Sequence, residues 1–387
     1  IPDVDAVAAQ RYATVSRLYW FTDLDRAEAE ARRLHRPILA LRMLGDLRSD
    51  LSCANSRLFR ATLYANAEIS AFLRSHFVLY WSSERAVPVV TIDYGDGRKL
   101  VRTTTGNSAH YVLDESGHVL DVLPGLYAPA VFRKELTASL ALADRVRGMT
   151  DAERVAATVA YHRDALATTA RDWQRASDVA YLRGRPFLLD TGALASAAAR
   201  AQLATMSKAA IEVPDLERIG VIEPGQVPRD DAAWSAIGQR VWNIGAPDQA
   251  VVEYGRLRPR SRFPAAEPAA KPARLPVPKP IVLDAASRAL VAALHNAGPD
   301  ELRATPDELA RVIAQLEQHI VADTALNQFT LRQTIHGYIA GAADTRFATL
   351  NAWIYDQVFA TPRSDAWLGL LPRSDFTGVP GDGVVMR

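Results

Sequence analysis

Two kinds of apolar pattern alternate along the first 145 residues. In WFTDLDRAEAEARRLHRPILALRML, from Trp20, Thr22 or Asp23 caps a helix over Leu24–Leu34, rich in Ala, Glu and Arg, and Pro37 closes it. The stretch Ile38–Leu44, apolar except for Arg42, then predicts a buried strand. A polar loop from Gly45 to Ser52 leads into a helix from about Cys53 to Tyr64, with Ser49, Asp50 or Ser52 as its cap. A short helix, Ala67 to Ser75, precedes the strand Phe77 to Trp81. TIDYGDGRKLVRT and AHYVLDESGHVLDVL each place a Gly-containing turn between β-rich runs, which predicts strand segments of a sheet. Pro129 to Leu140 predicts a closing helix.

From Thr150 the pattern becomes Ala-rich and helical. Thr150 and Glu153 form a capping box, and the helix runs past Trp173, with two or three more before Tyr254. RLRPRSRFPAAEPAAKPARLPVPKP is too dense in Pro, Ala and basic residues to form a core and predicts a semi-rigid connector. Thr305, Pro306 and Glu308 mark a helix start, and helical sequence continues to about Val358. A tail then follows in which Trp367 and Leu368 to Leu371 are the docking residues. The divisions are an extension (1–17), an α/β domain (18–148), a helical region (149–255), a linker (256–280) and a helical C-terminal domain with its docking tail (281–387). No internal repeat stands out.

Composition narrows the function classes. The 387 residues are 49% apolar, enough for a sizeable core, and 45 Lys and Arg face 44 Asp and Glu. Without a global field, neither nucleic acid nor an anionic membrane is an expected partner. No apolar run reaches the roughly 18 residues of a membrane span. A single cysteine excludes an internal disulfide and a four-cysteine zinc site. The chain starts at Ile1 rather than methionine, as after removal of a leader, so the compartment stays open with a lean to export. Phosphate-binding glycine loops, H-E-x-x-H and G-x-S-x-G are all missing, so no motif specifies a cofactor.

The cysteine lies in SDLSCANSRLFR. A thiol at a helix start sits beside unpaired N–H groups, which favour the thiolate, and Arg57 and Arg60 strengthen that field. The order helix, strand, loop, Cys-headed helix, strand, hairpin, helix resembles the thioredoxin-like superfamily. Within it the stretch resembles the exported bacterial branch, through Trp20, the Ala27 to Ala31 helix and Arg36, Pro37, Ile38. It covers about a third of the chain. The resemblance implies an α/β thioredoxin-like domain, a mixed sheet flanked by helices, ahead of the mostly α-helical remainder. Phe77 in HFVLY puts the first motif cysteine at Cys53 and the second on Ser56, a monothiol Cys-Ala-Asn-Ser variant. The family's cis-proline position falls on Ser108, where a trans bond is expected because a cis bond without proline costs about 2.5–4 kcal/mol. The implied catalytic set is Cys53, Ser56 and Ser108, with Asn55, Asn107, His110 and Arg57 contacting substrate.

The expected activity is thiol redox or thiol transfer with a protein or small-molecule thiol as partner. Cys53 would form a mixed disulfide, a sulfenic acid or a persulfide. Two alternatives stay open. One is a non-catalytic binding or scaffold protein on a degenerate fold, with Cys53 filling core space as free cysteines often do. The other is metal binding through Cys53 with His110 or Ser108. His110 on its strand reads first as a hydrogen-bonded sheet histidine, and His35 and His76 as helix-end residues. His319, Asp323 and Asn327 share a helical face, with His336 further on, and read as a solvated stripe before a metal site. Asp93, Asp96 and Gly97 read as a hairpin turn rather than a calcium loop.

Overall fold

The computed structural model describes residues 2–177, 201, 206–225, 227, 231–245, 282–341, 345–370, 379–380 and 384. The predicted connector at 256–280 and the tail from Leu371 to Thr377 lie outside them. Two short N-terminal helices, Pro2–Val7 and Ala13–Ser16, precede α1, Leu24–Leu34. Asp23 caps α1, its carboxylate accepting the Arg26 amide at 2.9 Å, as the sequence predicts.

Four strands make the main sheet in the order β2-β1-β5-β6: β1 (Ile38–Leu44), β2 (Val78–Arg85), β5 (Ala109–Leu113) and β6 (Val119–Pro124). β1 runs parallel to β2 and antiparallel to β5, which is antiparallel to β6. Every residue of β1 except Arg42 is buried, because helices cover both faces of the sheet. The first predicted hairpin instead forms a sheet of its own, β3 (Val89–Asp93) with β4 (Lys99–Thr103). Its β3 residues alternate between exposed and half-buried, and its half-buried face of Val90 and Ile92 stays outside the core. Asp93 and Asp96 serve its turn, accepting the Gly95 and Arg98 amides at 3.0 Å each.

The Cys-headed helix covers the expected stretch, but only its first part is α. α2, Ala54–Leu58, passes into a wider π turn over Phe59–Tyr64, and its N-cap is Cys53 with no side-chain cap bond. None of the three predicted caps serves. Ser52 Oγ is taken by Ser56 Oγ (2.7 Å) and Arg60 Nη2 (3.1 Å). α3, Ala67–His76, is capped by Asn66, and α4, Pro129–Val146, packs Val131, Phe132 and Leu136 into the core.

The rest of the described chain is mostly helical: α5 (Asp151–Ser177), α6 (Met206–Arg218), α7 (Asp231–Trp242), α8 (Ala285–His295), α9 (Pro306–Leu326), α10 (Arg332–Gly341) and α11 (Phe347–Trp353). The Thr150 and Thr305 capping boxes both form. α10 lies against α5, and α7 against α9. One apolar core joins Leu39, Val112 and Phe132 of the sheet layer to Ile320, Ile335 and Tyr355 of these helices. Polar ties reinforce it: Thr324 Oγ1 accepts the Ala128 amide at 2.7 Å, and Asn327 Nδ2 donates to the Leu126 carbonyl at 2.8 Å. No described helix is long and apolar enough to cross a membrane.

The segment up to residue 370 docks on the end of β2. Arg85 donates to the carbonyls of Asp365 and Ala366 at 3.0 Å each, and Arg363 and Arg42 both bond Glu84. Of the predicted docking residues, Leu368 enters the core while Trp367 stays 40% exposed.

Candidate functional site

Cys53 stands where β1 hands the chain to α2, and its amide bonds back to the Leu44 carbonyl at 3.2 Å. Its Sγ donates to Ser56 Oγ at 3.4 Å and lies 3.0 Å from Ser108 Oγ. Ser56 Oγ in turn lies 2.8 Å from the Cys53 carbonyl. The three residues of the predicted catalytic set are thus in direct contact. No peptide bond among the described residues is cis, including the one at Ser108.

The thiol is fully buried, the setting that the core-filling alternative anticipates. Two pieces of chain cover it. Thr104 to Ser108 crosses over Cys53, close enough that a Cβ on Gly106 would stand 2.8 Å from the Cys53 Cβ. Gly106 also has a φ of 127°, which L side chains avoid. Gly106→Ala is therefore expected to lower stability by about 2 kcal/mol. Urea unfolding checks this, and a loss under about 0.5 kcal/mol would mean that the loop does not press on the thiol.

The second cover is α6, which lies against α2. From it, Lys208 Nζ donates to Asn107 Oδ1 at 3.0 Å, and Glu212 Oε2 accepts the Thr105 amide at 2.7 Å. Lys208 is fully buried. Burial lowers its ammonium from the usual value, and the nearby Glu212 and Cys53 offset part of that effect. Asn107 is held further by the Tyr355 hydroxyl, which donates to its carbonyl at 2.8 Å.

Cationic groups ring the thiol. Arg60 laces the polar loop, its Nη1 donating to the carbonyls of Leu47 and Ser49 at 2.8 Å each. Burial pulls its guanidinium down to about 10, so it stays charged at neutral pH. Arg57 is lowered as well, again by burial, and Glu212 and Cys53 counter the shift. Its Nε and Nη2 have no hydrogen-bond partner among the described residues, nor do the amide atoms of Asn55 or the hydroxyls of Thr104 and Thr105. Alongside lies a cleft of about 410 Å³ lined by Ala54, Arg57, Leu58, Ile211, Leu294 and Leu316, among others.

His110 is in a different setting. Its Nε2 lies 2.7 Å from the Tyr64 hydroxyl, and Phe59 and Phe132 close on the ring at centroid distances of 4.6 and 5.0 Å. This is the hydrogen-bonded sheet histidine of the sequence reading. Burial lowers its pKa to about 3, so the ring is neutral.

No family model, curated protein or solved structure matches this chain. Its function must be read from its own geometry.

Among the described residues, one trio of His, Cys, Asp or Glu has its ligand atoms converging, and it includes only one predicted member, His336. Asp121, His162 and His336 place their donor atoms within 4.8 Å of one another, all buried. The rest of the predicted stripe disperses: His319 faces Asp231 at 3.4 Å, and Asn327 is wedged against Gly125. Asp323 and Asn327 are fully buried, not solvated, because this end of α9 is enclosed by the molecule. Lys208, Glu212, Asp121 and His162 escaped the sequence reading. Lys208 and Glu212, four apart, look like a surface ion pair on a helix. Asp121 did carry a signal, as the one charged residue in the otherwise apolar strand VLDVLP.

Proposed function

We propose that this chain is a thioredoxin-like protein whose single thiol, Cys53, performs thiol redox or thiol-transfer chemistry from a covered polar pocket. One observation supports the reading above all. Buried polar groups without described partners (the Asn55 amide, the Arg57 guanidinium edge, the Thr104 and Thr105 hydroxyls) gather around one cysteine. Each such group costs about 1–3 kcal/mol when left unpaired, so their concentration there calls for a role beyond filling space.

In this reading the Cys53 thiolate attacks an external disulfide, forms a mixed disulfide and releases one thiolate. With no second cysteine in the chain, an external thiol completes the cycle by attacking that mixed disulfide. Ser56 and Ser108 hydrogen-bond the sulfur, and Arg57, Arg60 and Lys208 supply a positive field. The thiol becomes reachable when α6 and the Gly106 loop lift together.

Iodoacetamide alkylation of native protein across pH and across sub-denaturing urea tests this. A thiol reached by local opening reacts at a rate nearly independent of urea, with Cys53→Ser as the blank. Full burial of Cys53 favours the second reading, a non-catalytic binding module in which the cysteine is core. Alkylation that tracks global unfolding, with the full urea dependence of that transition, would establish the second reading in place of the first.

A further inference from the structure

Well away from Cys53 in sequence, β6, α4, α5 and α10 bring together a buried polar cluster that the thiol reading does not use. Asp121 of β6 accepts the Arg332 guanidinium at 2.7 Å, the Ser139 hydroxyl at 2.7 Å and the Tyr161 hydroxyl at 2.8 Å, all on Oδ2. Among the described residues its Oδ1 accepts the Val122 amide alone, at 2.8 Å. His162 of α5 lies with Nε2 3.0 Å from the Leu120 carbonyl, an acceptor, so that nitrogen carries the proton and Nδ1 holds a lone pair. That Nδ1 faces His336 Nδ1 of α10 at 2.6 Å.

We propose that Asp121, His162 and His336 form a binding site for a divalent transition-metal ion. Two neutral imidazoles and one carboxylate are a donor set that such ions take from proteins. The outer contacts fit as well. Ligating histidines ordinarily donate their second N–H to a backbone carbonyl or carboxylate, as His162 does to Leu120, and ligating carboxylates are themselves hydrogen-bonded, as Asp121 is by three side chains.

Electrostatics are compatible. Arg332 pairs with both Asp121 and Glu135, so these three side chains together carry one net negative charge before any ion enters. Burial raises the Asp121 carboxyl, but the Arg332 guanidinium overrides it and keeps the carboxylate ionised. Burial lowers both imidazoles, which stay neutral at neutral pH as ligands must.

Without metal, His336 Nδ1 donates its proton to His162 Nδ1. On binding, that proton moves to His336 Nε2 and both Nδ1 atoms turn to the ion, with no change in the number of protons held. Two nitrogens each about 2.0–2.1 Å from one ion stand roughly 3.3 Å apart in tetrahedral geometry, so the rings must swing apart by several tenths of an ångström. A cleft of about 260 Å³ lined by His336, Tyr161, Glu135, Gln328 and Trp242, among others, offers an entry path. Three protein donors leave a coordination position for water or a further ligand.

The full chain is stripped with a chelator and titrated with Zn²⁺ by calorimetry, and the zinc-loaded protein is studied by X-ray absorption. One equivalent is expected, with two imidazole nitrogens, oxygen and no sulfur around zinc. Affinity should fall at least tenfold in His162→Gln and in His336→Gln and stay unchanged in Cys53→Ser. The absorption measurement uses the unmutated protein, so a variant that fails to fold does not remove the test. No binding, a sulfur neighbour, or binding that survives both histidine changes would overturn the proposal. None of these results depends on the reactivity of Cys53.

Discussion

Arg332→Met should lower unfolding stability by about 3–5 kcal/mol at neutral pH. The guanidinium is almost completely enclosed and bonds Asp121, Glu135 and Gln328. A buried ion pair adds little over well-packed apolar side chains, but removing one member strands the charge of the other. In Arg332→Met, Asp121 keeps only hydroxyl and amide donors at a site with no exposure. The double change Arg332→Met with Asp121→Asn removes the stranded charge along with its partner, so its cost should be smaller than the sum of the two single changes. Urea unfolding of the four proteins measures both quantities. A single-variant loss below about 1 kcal/mol would show that water reaches Asp121.

The second large effect is on acid stability and comes from His110. In the unfolded chain its imidazole takes a proton below about pH 6.5, whereas in the folded protein it does so only near 3. Between those values the unfolded state binds the extra proton, so stability falls as pH falls. The slope is about 1.4 kcal/mol per pH unit. From pH 6.5 to 4.5 the loss on this account is about 3 kcal/mol, and the contribution is fully present above 6.5. His110→Gln keeps a hydrogen-bonding group for Tyr64 and removes the titration. The difference in urea midpoints between wild type and variant across that window therefore isolates His110 from the other buried imidazoles. Parallel pH profiles for the two proteins would mean that the imidazole is hydrated when folded.

Acid stability and the proposed thiol chemistry meet in the same layer of the molecule. Tyr64, which holds His110, closes the π turn that extends the Cys53 helix. Protonating His110 would therefore disturb the base of that helix before it disturbed the pocket lining. Cys53 alkylation should accelerate below pH 5 less than the thiolate fraction alone would slow it. The two effects separate when rates are referred to an unstructured cysteine peptide.

The local alphabet of the chain was legible because each signal is contained within a few residues. Asp23, Thr150 and Thr305 cap the helices they precede, and Ile38–Leu44 is a buried strand because its six apolar residues, interrupted only by Arg42, lie between Pro37 and Gly45. The mixed sheet with flanking helices and the helical remainder follow from the order of such elements. Contact of Cys53 with Ser56 and Ser108 was also foreseeable, since one pair spans a single helical turn and the other is what the thioredoxin-like resemblance implies for the loop at Ser108.

Only the tertiary structure decided what covers the thiol and which charged residues lie inside. Lys208, Glu212, Asp121, His162 and Arg332 are ordinary surface types in sequence. They become interior because helices far along the chain close over the sheet, and Asp121 meets Arg332 across 211 positions. A helix or strand pattern records which face is apolar, and so determines that the face is buried. It does not record what it is buried against, because that depends on the summed packing of elements whose partners carry no local mark.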